Sequence, residues 1–122
     1  MPYIKKDDGR REALRNRERA LSAGELNYQI FHYVKHTSID FNSGNGYGDI
    51  MKNITVFIEA FLGTYPNYQR YNDMTGALIR CSKEIKRRLG VDAFFLEDII
   101  ENYDDEIAEY EDEKIKENGD VE

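Results

Sequence analysis

Residues 67–89 read NYQRYNDMTGALIRCSKEIKRRL, and the reading of the whole chain turns on them. Tyr71, Met74, Leu78, Cys81 and Ile85 recur at alternating spacings of 3 and 4 residues. That period puts all five on one face of an α-helix, with polar side chains on the others. Pro66 suits the first helical position, where a missing amide hydrogen costs nothing, and Gly90 suits the stop. The spacing predicts one long helix from just after Pro66 to about Leu89. Its apolar seam suits packing along a partner helix and also offers a face for self-association.

Upstream, Ile50, Met51, Ile54, Phe57, Ile58, Phe61 and Leu62 mark a second, strongly amphipathic helix. Asp49 is its expected N-cap and Gly63 its C-terminal glycine. The segment Phe41–Gly48 reads FNSGNGYG, and its glycine density predicts a loop. Ser22-Ala23-Gly24-Glu25 is a capping box, in which the serine oxygen accepts an amide and the glutamate reaches back. It opens a helix over about 23–37 that carries Leu26, Ile30, Tyr33 and Val34. Residues 10–20 are good helix formers with only Leu14 and the adjoining Leu21 as apolar contacts, so a peripheral helix is expected there. Residues 2–8 read as a short extended arm. Downstream, Val91–Ile100 begins another apolar-patterned helix that runs into acidic sequence.

The fold class is therefore mainly α: a compact single domain of four to five helices, with room for a small β element between the N-terminal arm and Gly119-Asp120-Val121. The expected division is a helical domain over 1–103, including the arm, and an acidic C-terminal helix or tail over 104–122. At 122 residues the chain can bury one core, and an aromatic share of 12% argues against disorder.

The net charge of −7 at first argues against anionic partners. Its distribution changes that reading. Residues 1–21 carry 7 Lys/Arg against 4 Asp/Glu, 22–96 carry 8 against 7, and 97–122 carry 2 against 13. A near-neutral body with a separate acidic end disfavours nucleic acid polymers but leaves a small phosphate-bearing ligand open. Cys81 is the lone cysteine, which fits a reducing compartment. No apolar run approaches the roughly 18 residues of a membrane span, and no signal peptide is visible. A cytoplasmic protein without membrane contact is expected.

Several residues carry chemistry and each also has a plain reading. His32 and His36 stand at i, i+4 and face the same way, which suits zinc only if a third ligand arrives, and otherwise makes them two helix histidines. Cys81 on the apolar seam reads as a small buried hydrophobe rather than a nucleophile. The glycine loop before a helix resembles an anion cradle but lacks both the preceding strand and the Lys-Ser/Thr of a phosphate loop. Lys83, Lys86, Arg87 and Arg88 either complement a helix C-terminus or clamp phosphate. Tyr65, Asn67, Tyr68, Gln69, Arg70, Tyr71, Asn72 and Asp73 either stack on and pair with a nucleotide or pack as a half-buried cluster. The acidic block lacks the spacing of a calcium-binding hand and reads first as a solvated face. No nucleophile–base set, metal cluster or paired carboxylates can be argued, so the expectation is a protein that is not an enzyme and needs no cofactor.

Several segments together carry a family resemblance. They are Met1-Pro2-Tyr3-Ile4, Gly24-Glu25-Leu26-Asn27-Tyr28-Gln29-Ile30, Asn67-Tyr68-Gln69, Asn72-Asp73-Met74-Thr75-Gly76-Ala77-Leu78, Lys86-Arg87-Arg88, and residues 110–121, YEDEKIKENGDV. In this order they resemble small phage and prophage proteins related to the Thoeris anti-defence proteins. Those are non-enzymatic sponges for cyclic ADP-ribose isomers made by bacterial TIR-domain proteins. The resemblance implies a homo-oligomer, dimer or hexamer, with ligand at subunit interfaces in the cytoplasm of the infected host. Some relatives also sequester cyclic oligonucleotides. The stretch 92–109 is longer than in the shortest relatives. A cyclic ADP-ribose isomer carries an adenine, two riboses and a pyrophosphate. By residue type and motif position, Phe61, Tyr65, Asn72, Asp73, Arg87 and Arg88 are the expected ligand contacts. The rival reading is an acidic interaction module, or a nucleic-acid mimic, that inhibits a host protein through residues 97–122.

Overall fold

The computed structural model describes residues 9–37 and 47–119. Six helices occupy them: α1 (Gly9–Arg15), α2 (Ala23–Lys35), α3 (Tyr47–Leu62), α4 (Tyr68–Leu89), α5 (Phe94–Asn102) and α6 (Asp104–Asn118). No strand occurs among the described residues. The expected β element and most of the glycine loop fall outside them. The count is one above the four or five expected, because the acidic C-terminal segment forms a full helix of its own.

The long central helix runs as its periodicity predicts. Tyr71, Met74, Leu78, Cys81 and Ile85 are all buried. Gly90 adopts the left-handed conformation, φ 69°, and its amide closes on the Lys86 carbonyl. At the start the expectation needs correction. Asn67, not Pro66, governs the helix: its Oδ1 accepts the Arg70 amide at 2.8 Å, so Pro66 lies outside. The Pro66 carbonyl instead accepts the Tyr110 hydroxyl at 2.7 Å, which docks α6 on the head of α4.

The seam is covered within the same chain. α2 and α4 form the most extensive pair, and α3 and α5 close the remaining sides. The core joins Leu26, Ile30 and Val34 of α2, Ile54, Ile58 and Phe61 of α3, and Phe95, Leu96 and Ile99 of α5. A seam consumed this way offers no face for self-association, which corrects that expectation. α6 buries no residue completely and leans on the core through Ile107 and Tyr110.

The capping box before α2 forms with a shift of register. Ser22 Oγ accepts the Glu25 amide at 3.2 Å, but Glu25 Oε1 accepts from the Leu21 amide at 2.9 Å, one residue further back. The same carboxylate takes Arg10 Nε at 2.9 Å and Nη2 at 2.8 Å. This two-pronged pair ties α1 to the head of α2.

α1 is shorter than residues 10–20. It ends at Arg15 in a Schellman turn, with the Glu18 amide on the Ala13 carbonyl at 3.0 Å and the Arg17 amide on the Leu14 carbonyl at 3.1 Å. The left-handed position of that turn usually holds glycine; here it holds Arg17, with φ 69°. Without a glycine, the sequence carries no stop signal there.

Candidate functional site

The six residues expected from the sequence do not converge in one protomer. Phe61 is fully buried, and the Arg70 guanidinium lies 4.6 Å from its ring centroid. Arg70 is held there by donating to the Leu21 carbonyl at 3.0 Å. Tyr65 is 94% exposed in the turn between α3 and α4. Asn72 is exposed on the first part of α4, and half-buried Asp73 accepts from Gln69 at 2.8 Å. Arg87 and Arg88 sit at the opposite end of that helix. At 1.5 Å per residue the two groups are roughly 22 Å apart along its axis, well beyond the reach of one small nucleotide.

Each end has its own character. At the C-terminal end, Arg88 lies 4.6 Å from the Phe31 ring centroid and 3.8 Å from Glu84, a carboxylate buried in the α2–α4 contact. Arg87 is exposed. At the N-terminal end, Asn67, Tyr68 and Gln69 share a cavity of about 410 Å³ with Tyr110, Glu113, Lys114 and Glu117 of α6. The two glutamates make that cavity unfavourable for a phosphate. The aromatic and amide cluster thus splits: Tyr71 packs in the core, Arg70 lies against Phe61, and Asn67, Tyr68 and Gln69 face the two glutamates of α6.

The concentration of positive charge lies elsewhere, where α1, α2 and α3 meet. Arg15, Arg17, Gln29, His32, His36 and Phe57 help line a cavity of about 210 Å³, whose remaining lining residues are Leu14, Tyr33 and Thr37. None of these is a carboxylate, and among the described residues neither arginine forms an ion pair with one. Arg17 is oriented by a short relay. Its Nη1 donates to Asn53 Oδ1 at 2.8 Å, and Asn53 Nδ2 donates to the Tyr33 hydroxyl at 3.0 Å. The Arg17 guanidinium stands 5.7 Å from the centroid of Phe57, which Tyr33 meets edge-on. Arg15 donates from Nε to the Arg11 carbonyl at 3.1 Å.

The histidines face this cavity with ring centroids 4.4 Å apart. Burial pushes the His32 pKa below its ordinary value, and His36, Arg15 and Lys35 lower it further by repulsion. Gln29, 3% exposed, closes the inner wall. Its Nε2 donates to the Leu14 carbonyl at 3.0 Å and the Glu18 carbonyl at 2.9 Å. Its Oε1 is buried without a hydrogen-bond partner. Among the described residues, no three His, Cys, Asp or Glu side chains are grouped to hold a metal ion. Cys81 is fully buried, and burial alone pushes its thiol pKa up to about 12.

The sequence reading singled out only the histidine pair of this cavity. Arg15 and Arg17 belong to a turn with no glycine signal, and Gln29 looks like any polar residue of an amphipathic helix. Only the return of α1 onto α2 brings them together. In comparisons with known proteins the chain matches no family model, no curated protein and no solved structure. The functional reading therefore rests on the chemistry of the site. Among the described residues, no helix is long and apolar enough to cross a membrane.

Proposed function

We propose that this protein binds and sequesters a cyclic ADP-ribose-type signalling nucleotide without cleaving it, acting as a phage anti-defence sponge against Thoeris immunity in the cytoplasm of the infected bacterium. The observation that carries the reading is the cavity of Arg15, Arg17, His32 and His36, walled by Phe57 and Tyr33, with no carboxylate among its described lining residues. Guanidinium forks match phosphate oxygens, imidazoles add donors, and ring faces receive a base or ribose. The resemblance carried by residues 24–30, 67–69, 72–78 and 110–121, among others, points to the same ligand class. In a homo-oligomer a second copy serves the same ligand from one exposed end of α4, either Tyr65 with Asn72 or Arg87. Phe61 contributes by holding Arg70 rather than by touching nucleotide.

The test is depletion and release. The protein is mixed with a cyclic ADP-ribose isomer, passed through an ultrafilter, and then heat-denatured. Loss of nucleotide from the filtrate and recovery of unchanged nucleotide after heating support the reading. Undepleted or chemically altered nucleotide overturns it.

The acidic helix favours a second reading. Residues 104–118 form a helix with no buried residue and Asp104, Asp105 and Glu106 in its first turn. That surface suits a basic host protein. A chain truncated after residue 103 separates the two readings: a sponge keeps its nucleotide, whereas an acidic docking module loses its host-protein contact.

A further inference from the structure

The strongest unassigned feature is the chemistry of the α1–α2–α3 cavity, which goes further than a general affinity for nucleotides. We infer that this cavity is a pyrophosphate subsite, in which Arg15, Arg17, His32 and His36 hold the bridged phosphoryl groups and Gln29 Oε1 accepts a hydrogen bond from an adjoining ribose hydroxyl. The inference rests on the nucleotide-sequestering reading for the identity of the whole ligand.

Three observations carry it. The first is volume. At about 210 Å³ the cavity is smaller than the roughly 300 Å³ at which pockets begin to enclose a whole drug-sized ligand. It accommodates a charged fragment and leaves the remainder of a dinucleotide-sized molecule outside. The second is charge. Two guanidiniums, with two imidazoles beside them as further donors, meet with no carboxylate among the described lining residues, an arrangement suited to the paired charges of a pyrophosphate rather than a single phosphodiester.

The third is Gln29. An acceptor buried without a partner costs free energy, and a phosphate oxygen, itself an acceptor, cannot satisfy it. A ligand that does must bring a donor next to its anionic group, as a ribose attached to pyrophosphate does. The two bonds from Nε2 fix which way the amide faces, so Oε1 cannot exchange places with the nitrogen without losing both. Arg17 adds to the case. It occupies the one left-handed position filled by a residue other than glycine among the described residues, and that conformation carries a guanidinium into the cavity.

The test uses inorganic pyrophosphate, inorganic phosphate, ADP-ribose and a 3′,5′-linked cyclic dinucleotide as probes in calorimetric titration of the full chain. Pyrophosphate is expected to bind more tightly than phosphate, and ADP-ribose more tightly than the cyclic dinucleotide. Arg15→Ala and Arg17→Gly should each weaken pyrophosphate by at least about tenfold, the weight of one charge-assisted contact. Arg17→Gly keeps a residue suited to the left-handed turn, so its loss of binding is not a loss of folding. Gln29→Glu, tested at neutral pH, should weaken pyrophosphate by placing a carboxylate in the cavity. Pyrophosphate binding that is absent, or unchanged in Arg15→Ala and Arg17→Gly, overturns the subsite. If pyrophosphate binds as expected but cyclic ADP-ribose is never depleted, the subsite stands and the sponge reading falls. If depletion persists in a variant that has lost pyrophosphate, the subsite falls and the sponge reading stands.

Discussion

The Gln29 amide nitrogen donates to the Leu14 carbonyl at 3.0 Å, and this buried bond seats the turn that carries Arg15 and Arg17 on the helix that carries His32 and His36. Leu14 itself is fully buried, so the same residue supplies the apolar anchor and the polar one. Replacing Gln29 with Leu removes donors from two carbonyls at once. The Leu14 and Glu18 carbonyls then lose a partner in a partly buried place, and the expected cost is about 1–3 kcal/mol. Urea unfolding of the variant against the parent measures it, as a lower midpoint at an unchanged slope.

Arg17 is the residue whose backbone conformation and proposed role pull apart. With φ 69° it occupies a conformation that costs a residue with a β-carbon about 1–2 kcal/mol. Its bond to Asn53 is exposed and returns less than that. Arg17→Gly is therefore expected to raise the melting temperature by a few degrees while weakening anion binding, and Arg17→Val to lower it. Thermal scans of the two variants, read beside pyrophosphate titrations, test both halves.

Protonation of His32 works against the unliganded fold. Its folded pKa lies below the ordinary 6.5, first because of burial and then because His36, Arg15 and Lys35 repel the imidazolium. The unfolded chain then binds more protons between the two values, so this contribution to stability is full above pH 6.5 and is lost as pH falls through the folded value. A bound pyrophosphate reverses the balance by favouring the imidazolium, so its affinity is expected to rise between pH 8 and pH 6. Melting curves and titrations across that range should move in opposite directions.

Glu25 shows the complementary case. Its pKa is lowered below 4.5 chiefly by its hydrogen bonds from Arg10, with the Leu21 amide assisting against the opposing effect of burial. The stabilisation is present above pH 4.5 and is lost as pH falls through the lower folded value. Glu25→Ala removes both the salt bridge and the reach-back of the cap, and is expected to cost about 1–2 kcal/mol at neutral pH. Arg10→Ala should cost less, because the Leu21 amide keeps its acceptor. Denaturation of both variants at pH 7 gives the order.

The residues first expected to bind ligand divide by burial, and mutation should expose the division. Phe61→Ala opens a hole in the core and is expected to cost about 3–5 kcal/mol whatever the ligand does. Tyr65→Ala and Arg87→Ala touch exposed side chains and should alter stability by no more than about 0.5 kcal/mol. A fall in cyclic ADP-ribose depletion with either of them then reports contact rather than unfolding. Cys81, with its thiol pushed up to about 12, should resist thiol reagents until the protein is unfolded.

Much of the scaffold is local in origin, and so it is legible in residue order. The seam from Tyr71 to Ile85, the apolar face from Ile50 to Leu62, the stop at Gly90 and the Ser22 cap all follow from helical period and termination chemistry. Errors arose where a signal was missing or was outcompeted by a neighbour. Pro66 carried the expected signal for the first turn of α4, but the side chain of Asn67 satisfies an amide there and takes over the cap. Arg17 terminates α1 without the glycine that would announce it. The seam suggested an exposed mate, yet α2, α3 and α5 of the same chain consume it.

What the sequence by itself determined is the mainly helical character, most of the core-facing residues of α2, α3 and α4, and the separation of an acidic end from a nearly neutral body. These depend on spacing and on side-chain type, which contacts between distant segments do not alter. Only the tertiary structure decided where cations, rings and unpaired acceptors gather. Asn72 and Arg88 belong to one helix, yet a rigid rod of that length holds them far apart. Arg17 and His36 lie 19 positions apart in the chain, yet the return of α1 over α2, held by Gln29, Glu25 and Leu14, brings them to the same cavity. The proposed binding cavity depends on that fold-back, because a site is made of neighbours in space and residue order specifies only neighbours along the chain.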